Sequence, residues 1–144
     1  ELARVVRPGG RISLANWANE GSVHEMFKLI ASHKPAGQNP APSPFEWGKT
    51  ARVLELLGAH FDVEFEVGTS FFRPESAEHA WATFSTGFGP VVTLLDVLDE
   101  EKTAALEADF IAFHETARTN SGIVVHRPYV IAKATRVSES KRAS

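Results

Sequence analysis

The chain has 144 residues, 43% of them hydrophobic and 23% charged, the balance of an ordinary globular domain long enough to need no covalent staples. Fifteen basic side chains against eighteen acidic ones leave a net charge of −3, which gives no general attraction to nucleic acid or to an anionic membrane. With no cysteine, disulfide frameworks, thiolate metal sites and cysteine nucleophiles are excluded, and no run approaches the ~18 apolar residues of a spanning helix.

A cysteine-free chain fits a bacterial cytoplasm, the expected location. Glu1-Leu2-Ala3-Arg4-Val5-Val6-Arg7 reads as the last turns of a helix already under way, so a piece of a larger protein is expected. Pro8-Gly9-Gly10 ends that helix, since proline cannot continue it and glycine supplies the positive φ of a sharp reversal. Arg11 to Trp17 is a short strand. Ile12, Leu14 and Asn16 share one face and Ala15 and Trp17 the other, so both faces are expected to be largely covered. Val23, Met26, Phe27 and Ile30 fall on one helical stripe, with Ser22 as N-cap and Lys34-Pro35 as the end. Residues 35–48 form a proline-stiffened loop whose far end carries Phe45 and Trp47. Thr50 then caps a helix with Val53, Leu54 and Leu57 inward and Gly58 at its end.

From Phe61 the period changes to two. Phe61, Val63, Phe65 and Val67 alternate with Asp62, Glu64 and Glu66, and three acids on one face predict an edge strand open to water. The strand continues to Arg73 past a bulge expected at Gly68. Residues 76–119 read as helical: a stripe of Ala77, Ala80, Trp81 and Phe84, then an apolar piece from Val91 to Leu98 after Gly87-Phe88-Gly89-Pro90. A third helix is capped by Asp99, with Leu106, Phe110, Phe113 and Ala117 inward, and ended by Asn120-Ser121-Gly122. Ile123 to Val137 is a long strand, apolar on both faces and so interior, with a bulge or break expected at Pro128. The tail Ser138 to Ser144 is expected to be disordered.

Leu2-Ala3-Arg4-Val5-Val6-Arg7-Pro8-Gly9-Gly10-Arg11-Ile12-Ser13-Leu14 resembles the end of the fourth-strand helix and the fifth strand of class I S-adenosylmethionine-dependent methyltransferases. More narrowly, it looks like the branch that includes the ubiquinone/menaquinone-biosynthesis enzymes and many bacterial small-molecule methyltransferases. The resemblance continues through the proline-rich stretch to Trp47-Gly48 and through Thr50-Ala51-Arg52-Val53-Leu54-Glu55-Leu56-Leu57-Gly58, and in element order it reaches about residue 136. It implies an α/β fold for residues 1–137. That fold is the C-terminal portion of a Rossmann-like methyltransferase, a small three-stranded mixed or antiparallel sheet with packed helices, and 76–119 is a helical insertion covering the substrate. In that family the last strand inserts between the fifth and sixth, antiparallel to both. The family's Gly-rich cofactor loop lies upstream of the matching segment, and Gly87-Phe88-Gly89 between helices is no substitute. The resemblance therefore implies S-adenosylmethionine as cofactor of the parent protein and no cofactor for this chain alone. The strand at 11–17 would be left open, to pair with the missing N-terminal half or with a second copy.

The six histidines form no His-x-x-x-His pair, and no metal site is expected. His79 lies beside an apolar stripe and could line a pocket; a surface or satisfied role is the rival reading. No Gly-x-Ser-x-Gly elbow points to a hydrolase. The aromatic set is more suggestive. Trp17 ends a strand on the side where open α/β sheets place ligands, and Asn16 beside it could orient an acceptor. By resemblance, Trp47, Phe71, Trp81 and Phe84 lie in the loops and helices covering a small, apolar acceptor; their rival reading is plain core. Methyl transfer from a sulfonium needs placement and exclusion of water more than acid–base help. A reading from a different class is a non-catalytic ligand-binding or dimerisation module.

Overall fold

A computed structural model describes residues 1–35 and 43–138. In chain order its elements are α1 (Leu2–Val5), β1 (Arg11–Trp17), α2 (Ser22–Ser32), a 3-10 helix (Pro44–Gly48), α3 (Thr50–Leu57), β2 (Phe61–Phe72), α4 (Ala77–Gly87), α5 (Gly89–Leu95), α6 (Glu100–Glu115), β3 (Arg118–Thr119), β4 (Gly122–Ile123) and β5 (Val125–Arg136). The described residues thus make a mixed α/β protein. Its six α-helices accompany a three-stranded sheet of order β1-β5-β2 and a short β3-β4 pair. No described helix is long and apolar enough to cross a membrane. Half of the proline-rich loop (36–42) and the tail from 139 lie outside the described residues.

Two compact units divide the chain. One, the sheet unit, is Glu1–Asn19, Pro42–Thr69 and Pro128–Ser144; the other, the helical unit, is Glu20–Ala41 and Ser70–Arg127. In the sheet unit β5 is the middle strand. It pairs antiparallel with β1 in a register running from Arg11 opposite Thr135 to Trp17 opposite Tyr129. Along β2 the contacts also run in opposite directions: the Val137 N–H donates to the His60 carbonyl, Lys133 pairs with Glu66, and the ring of Tyr129 lies over Gly68. The buried face of β5 is Val130, Ala132 and Ala134. Its two alanines share a core with Val53 and Leu57 of α3 and Phe61 of β2. Ile12, Leu14, Val63, Phe65, Trp47 and, from the N-terminal segment, Leu2, Ala3 and Val6 pack around that core.

The opposite face is open. Arg11, Ser13, Ala15 and Trp17 are exposed, as are Asp62, Glu64, Glu66 and Lys133, while Tyr129 and Ile131 are half-buried. The expectation that both faces of the first and last strands are covered therefore holds for one face only, because the helices of this unit pack on the Ile12–Leu14 side. Val67 also departs from the simple alternation, at 82% exposure. Glu66 and Val67 are both exposed, so the inward phase shifts there by one residue, from 61, 63 and 65 to 68, 70 and 72. Leu54 points outward rather than into the core, and α3 starts at Thr50 with Lys49 as its cap residue.

Pro128 lies within β5 with no break; the interruption falls earlier, at Val124, between β4 and β5. The carbonyl of Pro128 accepts from the Ala18 N–H at 3.1 Å, one residue past the end of β1. In an antiparallel strand a residue's N–H and C=O point to the same side, so the donor that proline lacks falls where the partner strand has already ended.

In the helical unit, α2, α4, α5 and α6 bury Met26, Ile30, Ala80, Trp81, Phe84, Val91, Leu94, Leu106 and Phe110 together. The expected cap at Asp99 is formed, and Ser76 caps α4 in the same way, each side chain accepting from the N–H three residues on. Ser22 is instead the first residue of α2, and its hydroxyl donates to the His126 carbonyl. Asn120-Ser121-Gly122 does not end α6, which stops at Glu115; it turns the β3-β4 pair, with Gly122 at φ 109°.

Gly48 is required for space, not for its dihedral angles. A β-carbon there would collide with the Trp17 carbonyl oxygen and meet the Asn19 nitrogen at 3.1 Å, both backbone atoms that cannot rotate away. Gly48→Ala is expected to cost about 1–3 kcal/mol, read as a lowered urea midpoint; an unchanged midpoint would contradict the close seating of the 3-10 helix on the end of β1.

Candidate functional site

Asn16 and Trp17 occupy the carboxyl end of β1, opposite Val130 and Tyr129. Alternation puts them on opposite faces: Asn16 on the covered side, Trp17 on the open side at 40% exposure. The 3-10 helix closes over this strand end. Its Phe45 is buried, and Trp47 packs on the sheet unit's core, which is the structural role for that residue. The amide nitrogen Nδ2 of Asn16 is buried without a hydrogen-bond partner among the described residues. A buried polar group left unpaired costs about 1–3 kcal/mol. His60 Nδ1 and Arg136 Nε share that state, and of the three Asn16, at the carboxyl end of β1, is the candidate for touching a small molecule. The charged open face is different in kind. Arg11, Asp62, Glu64 and Lys133 line a shallow groove of about 710 Å³, and Glu66 is paired with Lys133 across the strands, as in a solvated face.

In the helical unit the four expected residues separate. Trp81 and Phe84 are core, their rings 5.6 and 5.3 Å from that of Phe110. His79 is at the surface, with Nδ1 3.4 Å from the Glu75 carboxylate. Phe71 is 47% exposed, edge-on to His126 at 4.9 Å and capped by the Arg73 guanidinium at 4.7 Å. Among the described residues no cluster of three or more His, Asp or Glu could hold a metal ion.

Two polar groups outside the expected set lie in the aromatic core of this unit. His114 is 1% exposed and takes the inward position on α6 that the sequence assigns to Phe113. Its Nδ1 donates to the Phe110 carbonyl at 2.9 Å, and its Nε2 is buried with no partner among the described residues. Phe72, Phe84, Phe110 and Phe113 surround the ring at centroid distances of 6.1, 6.1, 4.5 and 5.2 Å. Arg127 is half-buried; its guanidinium lies 4.1 Å over the Phe72 ring and 5.9 Å from Phe84. Burial holds the His114 pKa below the ordinary histidine value, opposed by the Phe110 carbonyl and helped by the Arg127 charge. Burial also lowers the Arg127 pKa.

Two outcomes are expected. Because His114 is neutral in the fold and free to protonate when unfolded, the unfolded chain binds more protons as pH falls below about 6.5. Its contribution is therefore fully present above that pH and is lost on acidification, with a limiting slope of about 1.4 kcal/mol per pH unit. Thermal melts between about pH 7.5 and 5 should show the fall, and His114→Phe should flatten it; an equally steep fall in the variant would contradict the assignment. Asn16→Leu, which removes the orphan amide at similar volume, should leave the urea midpoint unchanged or raised by up to about 1 kcal/mol. A loss larger than that would show the amide to be structural.

No protein-family model matches the chain. It is 38% identical over 116 residues to an uncharacterized protein of Mycobacterium tuberculosis, an alignment covering 76% of this chain and 41% of the relative. A second uncharacterized protein of the same organism is 27% identical over 139 residues, covering 93% of this chain and 50% of the relative. A Mycobacterium bovis protein matches at the same 38% identity and coverage. The chain spans about half the length, or less, of the curated relatives it matches.

Proposed function

We propose that the chain is the acceptor-side half of a class I S-adenosylmethionine-dependent methyltransferase acting on a small, apolar acceptor. One observation carries the reading. The last strand lies between a strand that follows Pro8-Gly9-Gly10 and a later, acid-faced strand, antiparallel to both. That is the Rossmann-like order the resemblance implies for the carboxyl end of such an enzyme. Relatives about twice as long leave room for a preceding half, and β1 has β5 as its one strand neighbour among the described residues. We assign the open side of β1 to a strand of the same longer polypeptide.

The residues present do not fit the cofactor itself. Gly87-Phe88-Gly89 joins α4 to α5, whereas a phosphate- or nucleoside-cradling glycine loop runs from a strand into a helix. This chain's share of the work is therefore on the acceptor. In the sheet unit the unpaired Asn16 amide orients a polar atom of the acceptor.

Calorimetric titration with S-adenosylhomocysteine tests the reading. The 144-residue chain should not bind, and the longer polypeptide that contains the matching segment should bind with micromolar affinity. Absence of binding by the longer polypeptide would overturn the enzyme reading, and micromolar binding by this chain would overturn the missing cofactor half.

A further inference from the structure

Arg127 is the cation of the helical unit that the fold does not explain. Arg52 and Arg118 pair with Glu55 and Glu115 on the surface, at 2.7 and 2.5 Å. The Arg127 guanidinium, by contrast, has no carboxylate and no hydrogen-bond acceptor among the described residues; the Ser70 hydroxyl donates to its backbone carbonyl, at 3.4 Å. Its visible compensation is the faces of Phe72 and Phe84. The guanidinium is half-buried, and ring faces do not supply the hydrogen-bond acceptors it gives up in leaving water. A second polar group against the same two rings, His114 Nε2, is also buried and unpartnered.

We propose that Arg127 is the receptor for a carboxylate on a small aromatic or otherwise apolar ligand, bound in the helical unit beside Phe72 and Phe84. The planar guanidinium offers a two-pronged donor face that matches a carboxylate. One cation neutralises one negative charge, so a monoanion fits where a phosphate dianion would carry uncompensated charge into an apolar setting. The surrounding phenylalanines suit an apolar body behind the carboxylate. The inference goes beyond the methyl-transfer reading and stands without it, since it needs no donor and no reaction.

Benzoate is the probe and benzamide its neutral control. In a nitrogen-15 NMR titration of the chain, benzoate should shift the Arg127 Nε–H and His114 ring signals saturably in the millimolar range. Benzamide at equal concentration should not. The bound carboxylate should also move the His114 titration to higher pH, because it offsets the Arg127 charge. Arg127→Met should weaken benzoate binding at least tenfold with the amide spectrum otherwise retained. Should the methionine variant not fold, Arg127→Lys keeps the charge without the fork and should weaken binding several-fold. Equal binding of benzamide, unchanged affinity in the folded variant, or tighter binding of inorganic phosphate than of benzoate would each overturn the proposal. So would a concentration-dependent dimer abolished by Arg127→Lys, which would place the carboxylate on a second copy of the chain.

Discussion

The last strand must satisfy two ladders of backbone hydrogen bonds and one apolar contact surface at once, and the sheet unit depends on its doing so. Neither neighbour could stand alone: β1 has seven residues, and β2 carries an acid at every other position over its first half. A two-stranded pair is marginal in water, so the third strand converts two weak edges into a sheet. The small side chains of Ala132 and Ala134 let Val53 and Leu57 of α3 reach the sheet closely, and both alanines are nearly inaccessible to water. A large side chain at either position would push α3 away and forfeit close packing along the whole face.

The same constraint explains which polar groups are tolerated. On the open face, charges pair across strands or meet water, at little cost either way. On the covered face and in the aromatic core, each polar atom needs a partner inside the protein, and Asn16 Nδ2, His60 Nδ1, Arg136 Nε and His114 Nε2 lack one among the described residues.

Much of the architecture was legible because charge and periodicity agreed. Asp62, Glu64 and Glu66 alternating with Phe61, Val63 and Phe65 marked an edge strand, and the run from Ile123 to Val137 marked an interior one. The cover on β1 was not legible, because Ala15 and Trp17 are as apolar as Ile12 and Leu14; composition alone does not say which face a helix will take. Proline suggested a break at residue 128, but the effect of a missing donor depends on where the partner strand stops, which is tertiary information. Of the candidate site, the helical stripes found Trp81 and Phe84 as inward residues. They passed over His114 because a 3.6-residue period favours Phe113, and a histidine among phenylalanines reads as the polar side of the helix. Arg127 belongs to no motif: it shares β5 with Lys133 and Arg136, and gains meaning only when its surroundings, among the described residues, hold no acid.

Among the described residues the sheet ends in an unmatched edge at β1. In the observed register the N–H groups of Ile12, Leu14 and Asn16 face β5, and those of Arg11, Ser13, Ala15 and Trp17 face away. Residue-resolved hydrogen exchange of the chain at low concentration tests this directly. Strong protection is expected at 12, 14 and 16, with exchange near the unstructured rate at 13 and 15. Uniform protection along β1 in the chain alone would contradict it.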